Sequence, residues 1–104
     1  MKARARRGRD SERLVAEHLR ARGIAGASAV DAYTPGADVT APGLAIEVKA
    51  RRGLDLGAWM KQAHRQGRGA YPLLVVRLAG QGPADVGAWI ACTPLDSFLD
   101  LWET

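Results

Sequence analysis

Apolar and polar positions alternate along the chain in blocks that change period several times. Leu14, Val15, His18 and Leu19 recur at helical spacing, which predicts a helix from about Asp10 to Arg22. Asp10 or Ser11 is available to cap it, and Gly23 to stop it. Ile24 to Val30 is small and weakly β-forming, a first strand or its lead-in. Tyr33-Thr34-Pro35-Gly36 then turns the chain into Asp38-Val39-Thr40, and after Pro42-Gly43 an apolar run returns over Leu44 to Ala50. These two segments predict a hairpin-like pair of strands. A second helix is expected over Asp55 to Gln66, capped by Asp55 and leaving through Gly67 and Gly69. Tyr71 to Leu78 is nearly all apolar, as in a strand buried on both faces. Val86 to Cys92 is expected as a fifth strand carrying Trp89, after a GQGP loop. Thr93-Pro94-Leu95-Asp96 opens a closing helix with Thr93 as cap. Its apolar face, Leu95, Phe98, Leu99 and Trp102, is expected to pack on the sheet. The whole is an α/β pattern.

Length and charge narrow the picture. A chain of 104 residues holds one small core, and its 47% hydrophobic content is that of an ordinary globular domain. One cysteine, Cys92, excludes an intrachain disulfide and suits a reducing compartment. No apolar run is long enough to span a membrane or to follow the N-terminal charges as a signal peptide. A cytoplasmic protein is expected, in a host cytoplasm if the source is viral. The net charge of +4 is unevenly spread. Lys2, Arg4, Arg6, Arg7 and Arg9 precede the first acid, Asp10, so residues 1–9 form a basic arm ahead of a single domain over 10–104. Such an arm serves as a phosphate-binding tail or is merely a solvated terminus.

Candidate chemistry lies between Thr34 and Arg52. In a strand, residues two apart share a face, so Glu47 and Lys49 point the same way with Ala45, while Leu44, Ile46 and Val48 face a core. An acid and an amine side by side, with Asp38 on the preceding strand, suggest a site on an open cleft. The plainer reading makes Glu47 and Lys49 surface charges and Asp38 a turn residue. Glu12 falls on or beside the inward stripe of the first helix, where it either faces the same site or complements the helix dipole. On the second helix Lys61, Arg65 and Arg68 make a basic stripe, extended by Arg51 and Arg52, which suits DNA backbone contact or simply a solvated face.

The order Asp38-x8-Glu47-x-Lys49, with the last two in an apolar strand, resembles the PD-(D/E)xK nuclease superfamily. Within it the chain is most similar to the archaeal-type and phage Holliday junction resolvases. The upstream Glu12 helix, the Gly-x-Asp turn, the basic helix and the following apolar strand occur in that family's order over residues 8–80. One departure is Ala37 where the superfamily's name has Pro. The resemblance implies a restriction-endonuclease-like core, a central mixed five-stranded sheet flanked by helices. It implies a Mg²⁺-dependent endonuclease, with Mn²⁺ able to substitute, acting in DNA recombination and repair as a homodimer that nicks opposing strands of a four-way junction. Asp38, Glu47 and Glu12 would serve the metal, and Lys49 would position the nucleophile or stabilise developing charge. Gln62 is the candidate polar group behind the metal, and Ser28 or Thr34 stands where some relatives carry a further hydroxyl. Twelve of the fifteen basic residues are Arg, yet position 49 is Lys, where a compact ammonium fits better than a planar fork. Two alternatives remain: a structure-directed nuclease acting on flaps, ends or single strands, and a catalytically silent DNA-binding module.

Overall fold

The computed structural model describes residues 2–31, 34, 36–50 and 55–103. A long helix, α1 (Lys2–Ala21), leads into β1 (Ser28–Ala29), β2 (Val39–Ala41) and β3 (Leu44–Lys49). Helix α2 (Leu56–Gly67) then crosses to β4 (Tyr71–Val76). A short 3₁₀ helix (Pro83–Ala88), β5 (Ile90–Cys92) and α3 (Leu95–Trp102) complete the chain. The strands form one sheet in the order β1-β2-β3-β4-β5. Pairing is antiparallel except between β3 and β4, so the sheet is mixed. Parallel neighbours require a crossover connection, and α2 provides it.

The sheet is covered on both faces at its centre. Val15 and Ala16 of α1 pack with Val39, Ile46, Val48 and Trp89 in the main core. On the opposite face, Ala63 of α2 is buried and Gly67 lies against Ala45. The face expected to carry Leu44, Ile46 and Val48 inward does so, with Ile46 wholly buried and Leu44 partly so. The hairpin of β2 and β3 pairs Val39 with Ile46 and Ala41 with Leu44.

Four expectations are corrected. The first helix does not begin at Asp10 but runs back to Lys2, so the basic arm is helical over 2–9. Its Ala, Arg and Lys are strong helix formers, broken only by Gly8. Ser11 therefore caps nothing; its hydroxyl donates to the Arg7 carbonyl at 2.7 Å, one turn back. The fifth strand is shortened to Ile90–Cys92, because Val86 and its neighbours belong to the 3₁₀ helix. Pro83 starts that helix, and Asp85 accepts from the Gly82 amide at 2.7 Å. Thr93 does not cap α3: its hydroxyl donates to the Pro72 carbonyl at 2.7 Å, tying the chain to β4 instead. The apolar face of α3 does not pack on the sheet, and Leu95, Phe98, Leu101 and Trp102 are exposed.

By contrast Asp55 caps α2, accepting from the Ala58 amide at 3.3 Å. That helix ends at Arg68, whose φ of 49° is left-handed, followed by Gly69 at 90°. No described helix is long and apolar enough to cross a membrane.

Candidate active site

Backbone pairing brings the two strand acids together. The Asp38 amide donates to the Ile46 carbonyl at 3.0 Å, extending the β2–β3 ladder by one residue. Asp38 Oδ2 in turn accepts from the Val48 amide at 2.9 Å. That bond fixes the first acid beside the strand segment carrying Glu47 and Lys49. The Lys49 ammonium lies 3.3 Å from Glu47 Oε2, and Lys49 is itself largely buried.

Glu47 is not on an open surface. It is 2% exposed, because α2 closes over the face that it shares with Ala45. The helix also contributes Gln66: with its amide oriented to satisfy both partners, Nε2 donates to Glu47 Oε1 at 2.6 Å and to the Gly36 carbonyl at 3.0 Å. Gln66 thus joins the second acid to the loop that delivers the first. The expected glutamine, Gln62, is half-buried one turn earlier; Gln66 is the one that reaches the carboxylate. Residues four apart share one side of a helix, so Gln62 and Gln66 are neighbours on α2, but that spacing does not reveal how far along β3 the helix lies.

Electrostatics show that the acids of the cluster repel one another. The Glu47 carboxyl is raised from 4.5 to about 7, first by burial and then by repulsion from Asp38. Lys49 opposes the shift by its charge and hydrogen bond, and a side-chain hydrogen bond with Asp38 adds to it. Glu12 is also raised to about 7, by burial and then by Asp38, against the pull of Arg9 and Lys49. The acid on α1 is therefore within electrostatic reach of the strand pair.

Chemically, two hard carboxylates close enough to share a hydrogen bond, which repel one another when both are ionised, suit a small divalent cation. Asp38 and Glu47 fit that role, and a cation between them would relieve the repulsion that raises Glu47. Among the described residues no group of three His, Cys, Asp or Glu side chains is placed to hold a metal; Glu12 lies near enough to Asp38 and Lys49 to feel both charges. A cleft of about 410 Å³ lies next to the cluster, bounded by Gly36, Ala37, Ala45, Gln66, Gly67 and Arg68; Asp38, Glu47 and Lys49 do not line it, and Gln66 is the residue that joins the two. Its small side chains let a ligand approach the backbone closely.

The expected cation-bearing surfaces are partly placed. Arg7 and Arg9 lie on α1, and Lys61, Arg65 and Arg68 are exposed on or just after α2. Arg51 and Arg52 fall outside the described residues, as do the side chains of Arg4 and Arg6. Ser28 is exposed in the edge strand β1, and Thr34 is exposed beside the cleft. Compared with protein-family models, curated proteins and solved structures, the chain matches none of them.

Proposed function

We propose that this chain is a Mg²⁺-dependent DNA endonuclease of the PD-(D/E)xK type, acting as a Holliday junction resolvase. The observation that carries the reading is the Asp38–Glu47–Lys49 cluster, held together by the Asp38–Val48 hydrogen bond on adjacent strands. A buried Glu47 and a half-buried Asp38 beside one ammonium are costly to hold together in the fold. A bound Mg²⁺ would acidify a water and neutralise phosphate charge.

The chain's own groups divide the remaining work. Asp38 and Glu47 would hold the cation. Gln66 fixes the Glu47 carboxylate, and the Val48 amide fixes Asp38, so neither must reorganise when charge develops. Lys49 would position the nucleophile or stabilise the charge that develops on the phosphate. Glu12, with a carboxyl that titrates near 7, is suited to accept a proton from that water. Hydrolysis forms one P–O bond from water and breaks one to the leaving alkoxide, which takes up a proton.

Lys61, Arg65 and Arg68 on or just after α2, with Arg7 and Arg9 of α1, would supply sequence-independent phosphate contacts. Symmetric nicking of a junction calls for two copies. Comparing Mg²⁺-dependent cleavage of four-way junctions, flaps and linear duplex tests the substrate. Junction preference supports the resolvase reading, flap or duplex preference moves the same chemistry to another structure, and salt-sensitive binding with no product leaves a DNA-binding module.

A further inference from the structure

The cleft next to the acid cluster continues the same face of the sheet. Ala45 and Glu47 are two residues apart on β3, so the cleft floor at Ala45 begins about 7 Å along the strand from the buried acid. Thr40, which pairs with Ala45 across β2 and β3, widens that floor. Gln66 and Gly36 form the partition. Both line the cleft, and the Gln66 amide that donates to the Gly36 carbonyl also holds Glu47. A group seated in the cleft therefore lies one short step from whatever is bound at the acids.

The lining has two chemical parts. Val30, Ala37, Ala41, Leu44 and Ala45 give it an apolar body, and among the described residues no acid lines it. Besides Gln66, its polar side chains are Thr34, Thr40 and the exposed Arg68. Lys61 and Arg65, also exposed, precede Arg68 on α2.

We infer that this cleft captures one unstacked DNA base, that of a nucleotide next to the phosphate held at the acid cluster. The inference rests on the nuclease reading of that cluster and names what the site selects. A base is uncharged, with apolar faces and a hydrogen-bonding edge. The cleft offers apolar walls and hydroxyls that donate or accept. The charge of the nucleotide is on its phosphate, which Arg68 and the α2 cations are placed to meet. A volume of about 410 Å³ has room for one base and its sugar. Inside a duplex a base is stacked and cannot reach such a cleft, and leaving the stack costs least where pairing is already broken. Preference for branched over linear DNA then arises at this cleft, because bases beside a branch point leave the stack most readily.

The test uses 2-aminopurine, an adenine analogue whose emission rises when it leaves the stack. It is placed at each position in turn around the branch of a four-way junction, with Ca²⁺ replacing Mg²⁺ for the binding measurement. Wild-type protein should raise the emission several-fold at one position. An abasic nucleotide at that position should weaken wild-type binding about 10-fold. Two variants fill the cleft: Thr40→Leu from the floor and Gly67→Leu from the end of α2. A Cβ at Gly67 meets the Ala45 Cβ at 3.7 Å, an ordinary contact, so the helix accepts a side chain there. Both variants should lose the emission rise and cut junctions about 10-fold more slowly in Mg²⁺. Gly57→Leu, the same substitution at the exposed other end of α2, should keep both signals. Far-UV circular dichroism checks each fold. An emission rise that survives both filling variants, or unchanged affinity for every abasic junction, overturns the capture. So does the lack of any rise while the junction is cut in Mg²⁺, which leaves the nuclease reading standing. A rise lost in both filling variants, with no cutting by the wild type, upholds the capture and removes the nuclease. No binding to the junction overturns both.

Discussion

The Asp38 carboxylate accepts the backbone amide of Val48 at 2.9 Å, so the first acid of the candidate site is tied to the strand bearing the other two groups. The bond separates structure from chemistry at one residue. In Asp38→Asn an amide oxygen can still accept from Val48, so stability should hold while divalent-cation binding falls sharply. In Asp38→Ala the buried amide loses its partner, at a cost of about 1–3 kcal/mol. Urea denaturation and calorimetric titration with Mg²⁺ on both variants check the split.

Gln66 should act on the metal site through Glu47. Gln66→Leu leaves Glu47 Oε1 and the Gly36 carbonyl without the amide that joins them. The expected result is a ~10–100-fold loss of cation affinity, as for other groups that orient a ligand. Gln62→Leu should change affinity little, and titrating both variants under the same conditions distinguishes the two glutamines.

The raised carboxyls set a pH dependence. Glu12 and Glu47 are each shifted from 4.5 to about 7 in the folded protein. A carboxyl that holds its proton more tightly when folded adds stability below its unfolded value and loses it as pH rises through the folded one. Metal-free protein should therefore melt higher at about pH 5 than at about pH 8, and Glu47→Gln should flatten that difference. Mg²⁺ should raise the melting temperature more at the higher pH, where the carboxylates are free of protons.

Arg77 predicts a structural effect away from the site. It is 6% exposed, lies 4.9 Å over the Trp89 ring, and donates to the Gln81 carbonyl and the Ser11 hydroxyl. Arg77→Ala should cost about 3 kcal/mol or more, through a cavity and three abandoned partners. Thermal denaturation measures it.

Much of this arrangement was legible from residue order because the signals are local. The turn at Pro42-Gly43, the Asp55 cap and the alternation of Ile46 and Val48 with Glu47 and Lys49 each depend on nearest neighbours along the chain. What escaped depends on distance in space. The choice of Gln66 over Gln62 follows from how α2 lies across β3. Thr93 looks like a helix cap in sequence, but the Pro72 carbonyl, which only the sheet brings near, takes its hydroxyl. Likewise an amphipathic closing helix reads as a core element until the fold leaves its apolar side uncovered.

The central claim, that Asp38, Glu47 and Lys49 form a phosphodiesterase centre, is tested most directly by one assay. A labelled four-way junction is incubated with Mg²⁺, with EDTA, and with a Lys49→Ala variant of unchanged fold. The account predicts paired symmetric nicks with Mg²⁺, none with EDTA, and a rate reduced ~100-fold or more in the variant. Nicks that persist in EDTA or at an undiminished rate without Lys49, or binding of the junction with no cut in Mg²⁺ or Mn²⁺, would contradict it.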